Sequence, residues 1–122
     1  MTSILVIDDQ ELVRASIRIT LEAAGHEVVE AENGEVGIKL QEEHGFDLVI
    51  TDILMPVKEG IETIVDLRRD YGDLKIIAIS GGSRSKTMDY LKAATNLGAD
   101  MVLPKPFSNA ELLSCVNECL GG

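Results

Sequence analysis

Short apolar runs alternate five times with segments of helical periodicity along the 122 residues of the chain. Such runs predict buried strands, and apolar residues three and four positions apart predict helices with one buried face. The predicted strands are residues 3–7, 27–31, 47–51, 75–80 and 100–104. The predicted helices are residues 10–24, 33–44, 58–72, 83–98 and 108–120. This alternation predicts an α/β fold with a five-stranded parallel sheet and helices on both faces.

The length of the chain predicts one domain over residues 1–122, because a chain of this size builds one core rather than two. The second predicted strand, "EVVEA", is short and polar, which favours a position at an edge of the sheet. The cysteines Cys115 and Cys119 fall on the apolar face of the last helix, so we expect them to pack in the core. The apolar stripe of the first helix is predicted to be Leu12, Val13, Ser16, Ile17 and Leu21.

The formal net charge of −10 disfavours direct partners that are themselves polyanions. Nucleic acid and anionic membrane surfaces attract Lys and Arg, which this chain has in deficit. No apolar run approaches the roughly 20 residues that cross a bilayer. The first residues lack the basic and apolar regions of a signal peptide. We therefore expect a cytoplasmic protein that binds neither nucleic acid directly nor a membrane.

Polar side chains stand at the carboxyl ends of four of the five predicted strands, which is where ligands bind in such sheets. Because parallel strands end at the same edge, these side chains are expected to lie near one another. They are Asp8, Asp9, Asp52, Ser80 and Lys105. The second strand offers Glu30 and Glu32, which we interpret as surface residues.

The chemistry of these groups favours phosphoryl transfer. Carboxylates about 4 Å apart repel by on the order of 4 kcal/mol per pair, so three of them need a proton, a fixed cation or a metal. Oxygen ligands of this kind suit Mg²⁺, which keeps room for a phosphate oxygen. Asp52 is the candidate nucleophile, and Asp8 and Asp9 are the candidate metal ligands. Lys105 and Ser80 could neutralise and hydrogen-bond the phosphoryl group.

Each residue taken singly also has an ordinary interpretation, as a helix cap, a turn residue or a solvated lysine. Four motifs in order along the chain add weight to the site: "ILVIDDQ" at 4–10, "DILMPVKEG" at 52–60, "IIAIS" at 76–80 and "GADMVLPKPF" at 98–107. With these motifs the chain resembles the receiver domain of two-component response regulators, of the single-domain chemotaxis type. The resemblance implies a doubly wound, flavodoxin-like sheet of strand order 2-1-3-4-5.

The resemblance also implies roles for the individual site residues. Asp52 would accept a phosphoryl group from the phosphohistidine of a histidine kinase or a phosphotransfer protein. Mg²⁺ would be held by Asp9, Asp52 and the backbone carbonyl of Leu54, with Asp8 assisting through water. Lys105 would bind the phosphoryl group.

A conformational switch is the output that the resemblance implies. Ser80 would move toward the phosphoryl group, and the peptide bond between Lys105 and Pro106 would be cis. The fourth helix, the fifth strand and the fifth helix would then bind a downstream effector protein. The chain would be a monomer or weak dimer, and its only reactions would be self-catalysed phosphoryl acceptance and slow dephosphorylation rather than enzymatic turnover.

Some positions depart from the pattern of the family. Val102 stands at the switch position where Tyr or Phe is frequent, so a rotating ring cannot couple to Ser80 here. Leu54 would slow attack by water, whereas Gly82 would open access; Lys58 and Gly81 are also uncommon at their positions. Two alternatives stay open: a phosphorylation-independent binding module of the same fold, favoured by Val102, and an aspartyl phosphatase, which would usually carry a D-x-D motif on its first strand.

Overall fold

A computed structural model describes residues 2–53, 60–80 and 92–121 of the chain. Its strands are β1 (Ser3–Ile7), β2 (Glu27–Ala31), β3 (Leu48–Asp52), β4 (Lys75–Ser80) and β5 (Met101–Pro104). Its helices are α1 (Glu11–Ala23), α2 (Gly34–His44), α3 (Gly60–Asp70), α4 (helical over the described residues 92–97) and α5 (Asn109–Cys119). The predicted alternation is therefore confirmed, and β3 is shifted by one residue relative to the prediction, so that it includes Asp52. The predicted starts of α3 at residue 58 and of α4 at residue 83 lie outside the described residues.

All the strand pairs in the sheet are parallel, in the order β2-β1-β3-β4-β5. This is the predicted doubly wound, flavodoxin-like arrangement, and it puts the polar strand β2 at an edge. The register aligns the last residues of the strands: Ile7 pairs with Thr51, Asp52 with Ile79, and Ser80 with Pro104. The residues at and just after these strand ends consequently meet at one edge of the sheet.

Helices cover both faces of the sheet, because alternate strand residues point to opposite sides. One buried cluster joins Leu5, Val49 and Ile76 to residues of α3, such as Ile64 and Leu67. The other cluster joins the remaining strand face to α1 and α5. Its helical members are Ile17, Leu21, Leu112, Cys115, Val116 and Cys119. The two cysteines lie in the core as predicted.

The predicted apolar stripe of α1 is wrong at two of its positions. Leu12 is 85% exposed and Ser16 is also exposed, whereas Ile17 and Leu21 are buried. A helix advances by about 100° per residue, which places Leu12 almost opposite Leu21. The buried face of α1 is therefore the narrower stripe through Val13, Ile17 and Leu21.

Within the described ranges, no helix has the length and apolar character needed to cross a bilayer.

Candidate functional site

The turn between β1 and α1 carries two aspartates in different environments. The side chain of Asp8 is fully buried, whereas Asp9 is exposed. The Asp8 N–H donates to the carbonyl oxygen of Ala31 (3.1 Å), which continues the pairing with β2. Asp8 Oδ1 accepts a hydrogen bond from the Gln10 N–H (2.8 Å), just ahead of α1. The turn thus keeps one carboxylate inside the protein and presents the other to solvent.

Asp52 is the last residue of β3 and is 4% exposed. Its position is set by the sheet, because the next residue, Ile53, donates its N–H to the carbonyl oxygen of Ile79 (3.1 Å). The start of α3 packs directly on this strand end: a Cβ added to Gly60 would collide with the Asp52 carbonyl group and the Cα of Ile53. Glycine at this position lets the helix approach the backbone of the candidate phosphoacceptor.

Lys105 joins the two buried carboxylates. Its Nζ lies 3.0 Å from Asp8 Oδ2 and 2.9 Å from Asp52 Oδ2, and a third contact reaches Gln10 Oε1 at 3.4 Å. The Lys105 backbone N–H donates to the carbonyl oxygen of Ser80 (2.7 Å), and its peptide bond to Pro106 is cis, as the resemblance implies. The lysine therefore enters the site from β5 and faces the carboxylates of β1 and β3.

Burial and charge act in opposite directions on this group of side chains. Burial alone would lower the pKa of Lys105, but hydrogen bonds and charges from Asp52 and Asp8 raise it above its usual value. Burial raises the pKa of Asp8, and the Gln10 N–H and the Lys105 ammonium counteract part of that increase. One partly buried cation is thus shared between two buried carboxylates.

The donor set at this edge fits a hard divalent cation. Asp8, Asp9 and Asp52 each offer one carboxylate oxygen, and these oxygens lie within 4.8 Å of one another. Mg²⁺ binds through one or two carboxylates and retains several waters, so such a group can hold it. The remaining predicted ligand, the carbonyl of Leu54, lies outside the described residues, as do Lys58, Gly81 and Gly82.

The two predicted switch residues occupy neighbouring strands. Ser80 is fully buried at the end of β4. Val102 is half-buried on β5, pairs with Ala78 in the sheet and packs against the core cluster that includes Leu67. Five of the predicted side chains, at positions 8, 9, 52, 80 and 105, come from strand ends at one edge, whereas Val102 lies two residues before the end of its strand.

Glu30, interpreted as a surface residue, is partly buried, with a side chain that is 28% exposed and paired with α1. Its carboxylate binds two arginines of α1: Oε1 lies 3.1 Å from Arg14 Nε, and Oε2 lies 2.8 Å from Arg18 Nε. Arg14 Nη1 also donates to the carbonyl oxygen of Asp8 (2.7 Å). Glu32, by contrast, is exposed as predicted. The sequence contains a pattern from which these ion pairs could have been predicted. Glu30 shares a strand face with the apolar Val28, and the arginines of the helix that covers this face are four residues apart.

The chain belongs to the response regulator receiver domain family, whose sequence model matches residues 4–117. It is 33% identical over 118 residues to the chemotaxis protein CheY of Halobacterium salinarum, covering 96% of this chain and 95% of that protein. It is 35% identical over 119 residues to CheY of Bacillus subtilis, covering 96% of each.

Similarity of structure leads to the same family. A crystal structure of a response regulator receiver domain protein from Clostridium thermocellum superposes with a TM-score of 0.90 at 28% identity, covering 99% of this chain and 95% of that one. Other relatives are longer. The chain spans 12% of the sensor kinase CckA of Brucella abortus, at 32% identity, and 50% of the transcriptional regulatory protein CpxR of Escherichia coli, at 33% identity. The same domain thus occurs within larger proteins.

Proposed function

We propose that this chain is a phosphorylation-switched signalling domain. In this proposal Asp52 accepts a phosphoryl group from a histidine kinase or phosphotransfer protein in a Mg²⁺-dependent step, and the modified domain changes its affinity for a downstream effector protein. The observation that carries the proposal is the position of Lys105 Nζ, 2.9 Å from Asp52 and 3.0 Å from Asp8, beside the three-carboxylate group.

The reaction transfers the phosphoryl group between two nucleophiles. A carboxylate oxygen of Asp52 forms the new P–O bond as the P–N bond to the donor imidazole breaks, and the imidazole nitrogen keeps the bonding electron pair. Asp9, Asp52 and the Leu54 carbonyl would hold Mg²⁺, with Asp8 acting through water, and the bound ion would neutralise charge on the phosphoryl oxygens. Lys105 supplies a second positive charge at the same place.

Transmission of the signal would follow from a change in these contacts. Lys105 and Ser80 both gain a new partner when Asp52 carries a phosphoryl group, and this favours one of two conformations of the domain. Because β5 follows β4 in the sheet and the Lys105 N–H binds the Ser80 carbonyl, a movement at Ser80 reaches β5 directly. Val102 provides no ring to rotate, so this transmission relies on the strand itself and on α4 and α5.

Several further features belong to the proposal. The domain acts in the cytoplasm as a monomer or weak dimer, without direct contact with nucleic acid or membrane. It catalyses its own modification and slow dephosphorylation and does not turn over a substrate. Relatives named as chemotaxis proteins and as a sensor kinase support a place in two-component signalling.

The proposal is tested by incubating the protein with acetyl phosphate, a small phosphoryl donor, with Mg²⁺ or with a chelator. We expect incorporation that requires Mg²⁺ and that Asp52→Asn abolishes. Asp47→Asn is the matched control, because Asp47 lies just before the opposite end of β3, where it accepts the Ser3 N–H (2.9 Å). Equal incorporation by Asp52→Asn, or none by the unmodified chain, would contradict the proposal.

A binding module that works without phosphorylation is the second candidate, and the half-buried valine at position 102 favours it. The two candidates differ in what a partner recognises. A protein captured from the native extract by the phosphorylated domain, but not by Asp52→Asn, supports the switch. Capture that is the same for both forms supports the module, and sustained hydrolysis of a phosphoester would instead indicate a phosphatase.

A further inference from the structure

We propose that Arg14, held by Glu30, is a positioning residue that fixes the turn carrying Asp8 and Asp9 and thereby sets the affinity of the site for Mg²⁺. This inference rests on the proposed function insofar as Mg²⁺ is the ion of the site. It assigns a role to two residues that lie outside the group of carboxylates and lysine described above.

Both backbone polar groups of Asp8 are tied to β2. The N–H of Asp8 donates to the carbonyl oxygen of Ala31 (3.1 Å). The carbonyl oxygen of Asp8 accepts from Nη1 of Arg14 (2.7 Å), and Arg14 in turn binds Glu30, the residue that precedes Ala31. The peptide groups on either side of the Asp8 Cα are therefore anchored to two consecutive residues of one strand. Asp9 is attached directly to the second of these peptide groups.

Arg14 is itself held in place. Its side chain is 15% exposed, and that of Glu30 is 28% exposed, so the pair is largely removed from solvent. The planar guanidinium uses Nε for the carboxylate of Glu30 and Nη1 for the carbonyl of Asp8, two acceptors on different elements. A lysine ammonium is a single point at the end of a flexible stem and cannot reproduce this fork. The geometry thus depends on the shape of the arginine as well as on its charge.

A brace of this kind matters for a cation because Asp9 is exposed and is attached directly to the braced peptide group. Groups that orient the ligands of a metal commonly change its affinity by 10- to 100-fold when they are removed. The charge of Arg14 acts in the opposite direction, because a guanidinium near three carboxylates disfavours a divalent cation through Coulomb repulsion. Removal of Arg14 therefore weakens Mg²⁺ binding if positioning dominates and strengthens it if charge dominates.

Arg18 provides a matched control on the same helix. It lies one helical turn after Arg14 and binds the other oxygen of the same glutamate at 2.8 Å. It also pairs with Glu22, and its side chain is 36% exposed. Arg18→Gln thus removes the same charge and a contact to the same carboxylate, yet leaves the bond to the Asp8 carbonyl in place.

The experiment is a titration of the full chain with MgCl₂, followed by the backbone amide signals of Asp8, Asp9 and Asp52 in NMR spectra. The chain has no tryptophan, so an intrinsic indole signal is not an option. We expect Arg14→Gln to weaken Mg²⁺ binding about tenfold. We expect Arg18→Gln to bind within about twofold of the unmodified chain, since only the outer contact of Glu30 is lost. Thermal unfolding of each variant is measured alongside, so that loss of stability is separated from loss of affinity.

Arg14→Lys provides a second test of the inference, and it also serves if Arg14→Gln does not fold. It keeps the charge and loses the fork, so the brace predicts weaker Mg²⁺ binding, whereas an effect of charge alone predicts none. Equal or tighter binding by the folded Arg14 variants, or an equal loss in Arg18→Gln, would overturn the inference. If the unmodified chain itself bound no Mg²⁺, the proposed function would fail at its metal step, which is a result distinct from failure of the brace.

Discussion

Replacing Lys105 by methionine removes the only charge that the described contacts place between Asp8 and Asp52. Methionine has a similar length and no charge, so it fills most of the space of the lysine side chain while the two carboxylates lose their shared partner. Their side chains are 0% and 6% exposed, so water cannot readily replace the ammonium. We expect Lys105→Met to lower the free energy of unfolding at neutral pH when no divalent cation is present.

The size of this loss follows from two estimates that agree. Removing one partner of a buried ion pair costs about 3–5 kcal/mol. The variant can escape part of the repulsion by taking up a proton. From the ordinary carboxyl pKa of 3.8, proton uptake at pH 7 costs about 4 kcal/mol, at 1.36 kcal/mol per pH unit. The variant adopts whichever of these two states costs less free energy, so the free energy of unfolding at pH 7 should fall by about 3–4 kcal/mol.

The stability of Lys105→Met should also depend on pH. Without Lys105, the pKa of the carboxyl that takes up the proton is raised in the folded chain, as burial already raises the pKa of Asp8. Between that raised value and 3.8 the folded state binds more protons than the unfolded state, so acidification stabilises the variant. At pH 5 the cost of proton uptake is about 2 kcal/mol, and the deficit relative to the unmodified chain should shrink accordingly.

The assay is urea unfolding followed by circular dichroism, at pH 7 and pH 5, in a chelator and again with MgCl₂. Lys39→Met is the control, because Lys39 is exposed on α2 and its removal changes the net charge equally. Mg²⁺ should restore part of the stability of Lys105→Met, since an ion that binds only the folded state stabilises it. A loss below about 1 kcal/mol at pH 7, or an equal loss at pH 5, would refute the reasoning.

Two further predictions concern packing near the site and the chemistry of the core. Gly60→Ala forces a methyl group against the carbonyl of Asp52 and should lower the free energy of unfolding by about 1–3 kcal/mol. Gly72→Ala is the control, because a Cβ added there meets nothing within 4 Å, and it should change the free energy of unfolding by less than about 1 kcal/mol. Equal effects in urea unfolding would contradict this. Burial raises the pKa of the Cys119 thiol to about 11 and also raises that of Cys115. Both thiols should therefore react with an aromatic disulfide reagent at pH 8 only as fast as the protein unfolds locally. Rapid reaction of the folded chain would contradict the packing of the two cysteines in the core.

Periodicity in the sequence was sufficient to predict the alternating strands and helices, because each of them carries its own apolar pattern, whereas the strand order followed from the resemblance to receiver domains. The boundary of β3 was less accurate, since Asp52 interrupts the apolar run while its backbone still pairs with Ile79. The prediction for α1 was also inaccurate. The predicted apolar stripe included Leu12, whereas the rotation of the helix puts that side chain in solvent.

The candidate site was predictable in its membership and less so in its connections. Parallel strands end together, which brings Asp8, Asp52 and Lys105 to one edge whatever the details of the loops. That one ammonium bridges both aspartates depends on the register of strands whose residues are 97 and 53 positions apart in sequence. No local pattern encodes such a distance.

The contact of Arg14 with Glu30 and Asp8 was missed for a related reason. A glutamate on an edge strand is usually solvated, and only the packing of α1 over β2 turns it into a partner. A sequence shows which residues are charged, while the contacts between distant charged residues come from tertiary structure.

The identity of the modified residue tests the central claim most directly. The protein is labelled with acetyl phosphate in Mg²⁺, digested, and the modified residue is located by mass spectrometry. The account predicts a label on Asp52, the carboxylate at the end of β3 that contacts Lys105. A label on Asp8, Asp9 or Ser80 instead, or incorporation that is unaffected by a chelator, would contradict it.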